Sequence, residues 1–421
     1  MLNKKLGSLA VALAYGLSIG SLVGCSTPCS APGGLCAPVE TNTRLMPEPA
    51  PVVLAPIAPP PEAIVTTSPI DMPDQPAAAA SGPDNALAPP AGQTRIALLL
   101  PLNSATLAGP AEAVRAGFMA AYERDRAGFT VDLVPSDDTT DNTVQAYRDA
   151  AARNDMVVGP LLRASVAAVA AGEVTKPTLA LNHPGDNTPL PPNMLTIGLS
   201  IEDEARQVAA WAHADFPSGR PLVVSSTVAW QRRLAAAFHD QWNVLGNTAY
   251  QVELPAVDGR IADAALADLK ARVDIDAPDF LFGALDAGQL RQVRAALGTS
   301  LPAYGTSSVN PGRGAGISVA ELDGVRMLDL PWQVQPDHPS AMAYPRRASD
   351  VRAAPDMDRL YALGIDAYRI AREMALNPGQ PIALDGVTGQ LRIQGQPPRF
   401  QRSEAPVISR GGLFETVPGV R

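Results

Sequence analysis

The chain has 421 residues, of which 46% are hydrophobic and 18% are charged, and this balance excludes a protein that is disordered throughout. The formal net charge is −9. It becomes −11 without residues 1–24, because that segment holds two lysines and no acid, which leaves 31 basic against 42 acidic residues. Such an acidic balance argues against nucleic acid as a partner.

Residues 1–24 have the pattern of a secretory signal peptide. Lys4 and Lys5 precede an uncharged apolar run over residues 6–23, and LVGC follows at residues 22–25. About 18 apolar residues can just span a bilayer, so an uncleaved membrane helix is the alternative. The cysteine after a small residue resembles the lipobox of bacterial lipoproteins. That resemblance implies cleavage before Cys25, lipid attachment to its thiol and, with Ser26 next, an outer-membrane anchor with the globular part in the periplasm.

Cys29 and Cys36 remain once Cys25 carries a lipid. An oxidising periplasm allows this pair to form a disulfide, whereas two unpaired cysteines in a flexible segment are the alternative. No histidine lies nearby, which argues against a metal site.

Residues 25–93 have the composition of a disordered linker. Between Ala37 and Gln93 there are 14 prolines and no aromatic residue, so the segment cannot bury enough apolar surface to fold. We therefore expect a Pro/Ala-rich tether between the lipid anchor and the globular part.

Apolar runs that alternate with helix-period segments begin at residue 94 and predict an α/β fold with mostly parallel sheets. The runs occupy residues 95–100, 129–134, 155–159 and 177–181, and then 221–226, 247–254, 279–284 and 301–306. Two successive series of similar size predict two lobes. Residues 94–199 and 320–421 are assigned to the first lobe and residues 200–319 to the second, because the long amphipathic helix near Leu363 is expected to return to the first lobe.

Ligands of open α/β sheets bind beyond the carboxyl ends of the strands, so a cleft between the lobes is the expected binding site. The residues at these strand ends are Asn103, Ser104, Leu161, Asn182, Ser225, Ser226, Asp286, Thr306 and Ser307.

Motifs of catalysis do not occur in the sequence. The four histidines lack the HExxH spacing, and no GxSxG or P-loop sequence is present. We therefore predict no catalytic residue, no cofactor and no metal, that is, a protein that is not an enzyme.

Eight short sequence motifs occur between residue 94 and about residue 393. They are LLLPLNS, VRAGF, VVGPLL, LALN, LSIEDEARQVA, DLPW, LYALGIDAYRIA and DGVTGQLRI. With the two-lobed pattern, they resemble the penicillin-binding protein activator lipoproteins, or LppC family, whose C-terminal domain has the type I periplasmic-binding-protein fold. Known members carry a helical-repeat domain before this domain, whereas a proline-rich linker stands in its place here.

The resemblance implies a regulatory envelope lipoprotein whose partner is a bifunctional peptidoglycan synthase, a class A penicillin-binding protein. The alternative is a receptor for an amino acid or another small polar ligand, of the ABC-transporter type. Amino-acid receptors of this fold present hydroxyl groups after their third and fourth strands, where this chain has GPLLR and LNHPG. This difference favours the regulator and leaves a small-molecule ligand open.

Overall fold

The computed structural model describes residues 92–185, 188–312, 320–347, 355–395 and 397–417. All of the described residues belong to one compact unit. The predicted signal peptide, Cys25, Cys29, Cys36 and the linker up to residue 91 lie outside the described residues. The lipid anchor and the disulfide therefore stay predictions.

The first lobe is built on a five-stranded parallel sheet. Its elements are β1 (Thr94–Leu100), α1 (Ala108–Arg124), β2 (Phe129–Pro135), α2 (Thr140–Arg153), β3 (Met156–Val158), α3 (Arg163–Ala170), β4 (Thr178–Ala180) and β5 (Met194–Thr196). The strand order is β2-β1-β3-β4-β5. Four of these strands coincide with predicted apolar runs. The fifth, β5, is too short at three residues for periodicity to identify it.

The second lobe begins with the same pattern of elements. They are α4 (Ile201–Asp215), β6 (Pro221–Ser226), α5 (Ala229–Val244), β7 (Tyr250–Leu254), β8 (Ala256–Val257), β9 (Arg260–Ile261), α6 (Asp263–Asp276), β10 (Phe280–Ala284), α7 (Ala287–Leu297), β11 (Ala303–Gly305) and β12 (Arg326–Asp329). Short 3-10 turns lie at Ser307–Val309 and Ala320–Leu322.

The C-terminal segment passes between both lobes. It contains α8 (Pro331–Val334), α9 (Pro339–Met342), α10 (Pro355–Leu376), β13 (Ala383–Asp385), β14 (Gln390–Gln394), β15 (Arg399–Ser403), β16 (Ala405–Arg410) and β17 (Leu413–Thr416). The second sheet has the order β17-β16-β12-β11-β10-β6-β7, and β13, β14 and β15 form a separate antiparallel sheet.

The assignment of all of residues 320–421 to the first lobe needs correction. Helix α10 packs on α1, and Leu391 and Phe400 of the small sheet join the first-lobe core. Strand β12, however, pairs in parallel with β11, and β16 pairs antiparallel with β12. Val407 of β16 is fully buried in the second-lobe core, and this burial places the strand there.

Side-chain alternation explains why helices cover both faces of the first sheet. Ile96, Leu98 and Leu100 point into a core with α1 and α10, whereas Ala97 and Leu99 point into a core with α2 and α3. A strand that is buried on both faces has the continuous apolar sequence seen at residues 96–100.

Helices within the described residues do not combine the length and the apolar character that a membrane span requires.

Candidate functional site

Both sheets reverse their strand order at a point where predicted site residues lie. The reversal falls between β1 and β3 in the first lobe and between β6 and β10 in the second. Asn103 and Ser104 follow β1, Ser225 and Ser226 end β6, and Asp286 follows β10. These are the strand ends at which open α/β sheets bind ligands.

In the first lobe the predicted polar groups bind neighbouring parts of the chain. Ser104 Oγ donates to Asp138 Oδ2 at 3.0 Å and accepts from Leu107 N at 3.1 Å. Asn182 Nδ2 donates to the carbonyl oxygen of Leu161 at 3.1 Å, so these two predicted residues do meet. Asn103 is exposed.

In the second lobe a chain of side-chain amides joins two strand ends. Ser226 N donates to Gln231 Oε1 at 3.1 Å, and Gln231 Nε2 donates to Gln289 Oε1 at 2.5 Å. Asp286 Oδ1 accepts from Gln289 N at 2.8 Å and so caps α7. Ser225 Oγ is fully buried and has no hydrogen-bond partner among the described residues.

Thr306 and Ser307 behave differently from each other. Thr306 Oγ1 lies 2.9 Å from Ser308 Oγ in a local turn. Ser307 reaches α4, because its N and Oγ donate to Glu204 Oε2 at 3.1 and 2.6 Å. Ser307 is thus part of a buried charge network that the sequence did not predict.

This network, which we call the charge cluster, consists of Glu204, Asp329, Arg359, Arg402 and Glu404. Arg359 donates to both carboxylate oxygens of Asp329 at 2.8 and 3.2 Å and to the carbonyl oxygen of Ser307 at 2.8 Å. Arg402 Nη2 lies 3.5 Å from Glu204 Oε1 and 2.6 Å from Glu404 Oε1. Charges this deeply buried persist only in pairs.

Two members of the charge cluster have shifted pKa values. Burial raises the pKa of the Glu404 carboxyl well above its usual range, although the charge of Arg402 opposes the shift. Burial alone would lower the pKa of the Arg359 guanidinium, but the charge and hydrogen bonds of Asp329 raise it overall. The sequence could have indicated Glu204, because it is a charged residue on the apolar face of α4, beside Ala205 and Val208.

The nine predicted residues do not line the cavity of about 1030 Å³ that the described residues form. That cavity lies beside α4, β16 and the small sheet instead. Within the described part of the chain, no group of three or more His, Cys, Asp or Glu residues is arranged to hold a metal.

Comparison with known protein families gives a match over most of the chain. A family model for LppC, a family of candidate lipoproteins, matches residues 90–403. The curated relatives include a penicillin-binding protein activator LpoA of Yersinia pseudotuberculosis, 28% identical over 396 residues, which cover 72% of this chain and 58% of that protein. An LpoA of Vibrio cholerae is 25% identical over 349 residues, with 72% and 55% covered. The chain thus spans a little over half the length of these relatives.

Solved structures share the fold. A candidate branched-chain amino acid ABC transporter from Chromobacterium violaceum is 36% identical with a TM-score of 0.64, and the match covers 75% of this chain and all of that one. The C-domain of LpoA from Haemophilus influenzae, a regulator of PBP1A, is 23% identical with a TM-score of 0.60, over 77% of this chain and all of that domain. These matches confirm the predicted two-lobed fold with mostly parallel sheets.

Proposed function

The chain belongs to the LppC family, and from this membership we propose that it is a non-catalytic envelope lipoprotein that binds and activates a bifunctional peptidoglycan synthase. The observation that carries the proposal is the family match over residues 90–403, together with relatives named penicillin-binding protein activator. In this proposal the partner is a class A penicillin-binding protein, and the chain itself contributes no catalytic group.

The polar strand ends support a protein regulator over a receptor. Hydrogen bonds within the same lobe, to loops and at helix caps, already occupy the polar groups of Ser104, Ser226 and Asp286. A receptor for a small polar ligand keeps several such groups directed at its ligand. Activation through contact with a synthase does not require polar groups that are directed into the cleft.

The activation test uses the purified full chain and the cognate class A synthase. We expect the chain to increase the rate of glycan polymerisation or of peptide crosslinking, whereas heat-unfolded chain should not. Measurement of lipid II consumption and of crosslinked product gives the result. An unchanged rate, with no complex by crosslinking, would contradict the proposal.

Anchoring at the outer membrane is a separate part of the proposal and depends on Cys25. We expect Cys25→Ser to move the chain from the outer-membrane fraction to the soluble periplasm, because the thiol that takes the lipid is lost. Cys29→Ser is the matched control, since it changes a neighbouring cysteine outside the lipobox. Equal fractionation of both variants would count against lipid attachment at Cys25.

A receptor for an amino acid or another small polar ligand is the second candidate function. It is favoured by the 36% identity to the candidate branched-chain amino acid transporter structure, which is covered along its full length. A ligand at a hundred times its dissociation constant should stabilise the chain by about 2.7 kcal/mol. A thermal-shift screen over the amino acids tests this, and a flat response would exclude them.

A further inference from the structure

A groove beside α4 has three different walls, and it lies apart from the strand ends described above. It encloses the cavity of about 1030 Å³. One wall is α4, from Gln207 to Asp215, and another is the small sheet of β14 and β15. The floor is the face of β12 and β16 that carries Leu328 and Ile408.

The floor exists because the second sheet extends sideways beyond α4. Helices α4 and α5 pack on the central strands through a core that ends at Leu328 of β12. In β16, Ala405 and Val407 point to the opposite core, so Pro406 and Ile408 point into the groove, where both are half-buried. The floor of the groove is therefore mostly apolar, with the charged side chain of Arg326 beside Ile408.

The small-sheet wall is entirely polar on the side that faces the groove. Leu391 of β14 and Phe400 of β15 point away from the groove into the first-lobe core. Because side chains alternate between the two faces of a strand, the residues next to them point toward the groove. The five groove-facing residues are exposed, and they are Gln390, Arg392, Gln394, Gln401 and Ser403.

Glu404 borders the same groove through its main chain, because its side chain is fully buried. Its carboxyl group lies against Glu204 and Arg402 of the charge cluster. Its contact with Arg402, 2.6 Å long, is an ion pair that lacks hydrogen-bond geometry. The carboxyl group therefore belongs to the charge cluster behind this wall and is not exposed to a ligand in the groove.

The chemistry of the three walls specifies a class of ligand. Each glutamine amide both donates and accepts, as recognition of hydroxyl and amide groups requires. Arg392 presents a guanidinium group suited to a carboxylate, whereas Arg326 is already paired with Asp215 of the groove at 3.7 Å. The mostly apolar floor suits the C–H face of a sugar ring. The volume is at the upper end of the range for small-molecule sites and exceeds what one amino acid fills.

We propose that the groove binds a peptidoglycan fragment, a glycopeptide that carries hydroxyl, amide and carboxylate groups. The choice of this glycopeptide rests on the proposed function, because the proposed partner synthesises the polymer. An activator that binds this polymer would place the synthase beside its own product.

The test measures binding of a soluble disaccharide-tripeptide muropeptide to the full chain by calorimetry. We expect saturable binding at one site, and at least about tenfold weaker binding of chitobiose, which has no carboxylate. Arg392→Ala should weaken muropeptide binding about ten- to a hundredfold, the usual effect of one lost charge-assisted hydrogen bond. Arg148→Ala, an exposed arginine of α2, is the matched control and should leave it unchanged.

Three results would overturn the proposal. The first is the absence of saturable muropeptide binding, and the second is equal affinity of the two arginine variants for the muropeptide. The third is protection of Gln401 from amide hydrogen exchange by the synthase but not by the muropeptide, which would make the groove a protein interface. The melting temperatures of both variants are measured, and their affinities are compared only if these temperatures agree, so that a loss of folding is recognised. Activation of the synthase by wild-type chain is measured separately. Intact activation without muropeptide binding therefore overturns this proposal alone.

Discussion

At the scale of single residues, His183 gives the chain a defined response to pH. Its Nδ1 lies 2.8 Å from Thr196 Oγ1 at the end of β5, and the side chain is buried. Burial, and after it the positive charge of Arg399, lowers the pKa of His183 to about 4. The ring is therefore neutral in the folded chain at pH 7.

We predict that this histidine destabilises the chain as the pH falls. Unfolded histidine titrates near 6.5, so between that pH and about 4 the unfolded state binds a proton that the folded state excludes. The free energy of unfolding contributed by His183 should fall by about 2 kcal/mol from pH 7 to pH 5. Urea unfolding of His183→Gln at both pH values should show a smaller fall than wild type.

His239→Gln is the control for this measurement. It removes a half-buried histidine of α5 and leaves His183 in place. The free energy of unfolding of this variant should still fall between pH 7 and pH 5 by the amount that His183 contributes. An identical pH dependence of wild type and His183→Gln would show that His183 is not the titrating group.

At the scale of elements, α1 and α10 approach one another through two glycines. A Cβ at Gly117 would overlap the carbonyl oxygen of Tyr361, and a Cβ at Gly364 would overlap that of Val114. Glycine costs about 1 kcal/mol relative to alanine inside a helix, so its presence in both helices has a packing cause. The sequence motifs VRAGF and LYALGID therefore encode a helix contact.

Gly364→Ala should destabilise the chain by about 3 kcal/mol or more, because the clash is with backbone that has no rotamer to change. Gly109→Ala is the matched control in α1, where no atom lies within 4 Å of the added Cβ. It should be neutral or stabilising by up to about 1 kcal/mol. Urea unfolding measures both, and equal effects of the two substitutions would refute the packing argument.

Local pattern predicted the helices and most strands but could not assign them all to a lobe. The apolar runs at β1, β6 and β10 are long enough to be identified without knowledge of their neighbours. Strand β16 ends in two polar residues, and its pairing with β12 joins residues about 80 positions apart, which no local period encodes.

Sequence reasoning located the strand ends but not the charge cluster. Ser226 and Asp286 lie where the fold predicted, because a strand end is a local feature. Glu204 meets Ser307 across 103 positions and Arg402 across 198. A single chain gives no signal for such pairs beyond a charge on an apolar helix face. The cavity was missed for the same reason, since its walls come from five elements, and α4 and β12 are far in the sequence from β14, β15 and β16.

At the scale of the whole molecule, the charge cluster lies at the three places where the chain passes between lobes. Glu204 begins the second lobe after β5, Asp329 ends β12, and Glu404 separates β15 from β16. Arg359 and Arg402, from elements that pack on the first lobe, pair with these carboxylates. Each crossing therefore supplies one acid to a shared buried network that joins the lobes.

The corrected lobe assignment predicts a selective effect of C-terminal truncation. Ending the chain at Glu404 removes β16 and β17, exposes the edge of β12 and takes the fully buried Val407 out of the second-lobe core. We expect faster amide hydrogen exchange in β10, β11 and β12, because their sheet loses an edge and part of its core. Strands β1 and β3 should retain their protection, since none of the described residues after Ser403 packs in their core. Ending the chain at Val417 is the control and should leave both sheets protected, whereas loss concentrated in β1 and β3 would restore the original assignment to the first lobe.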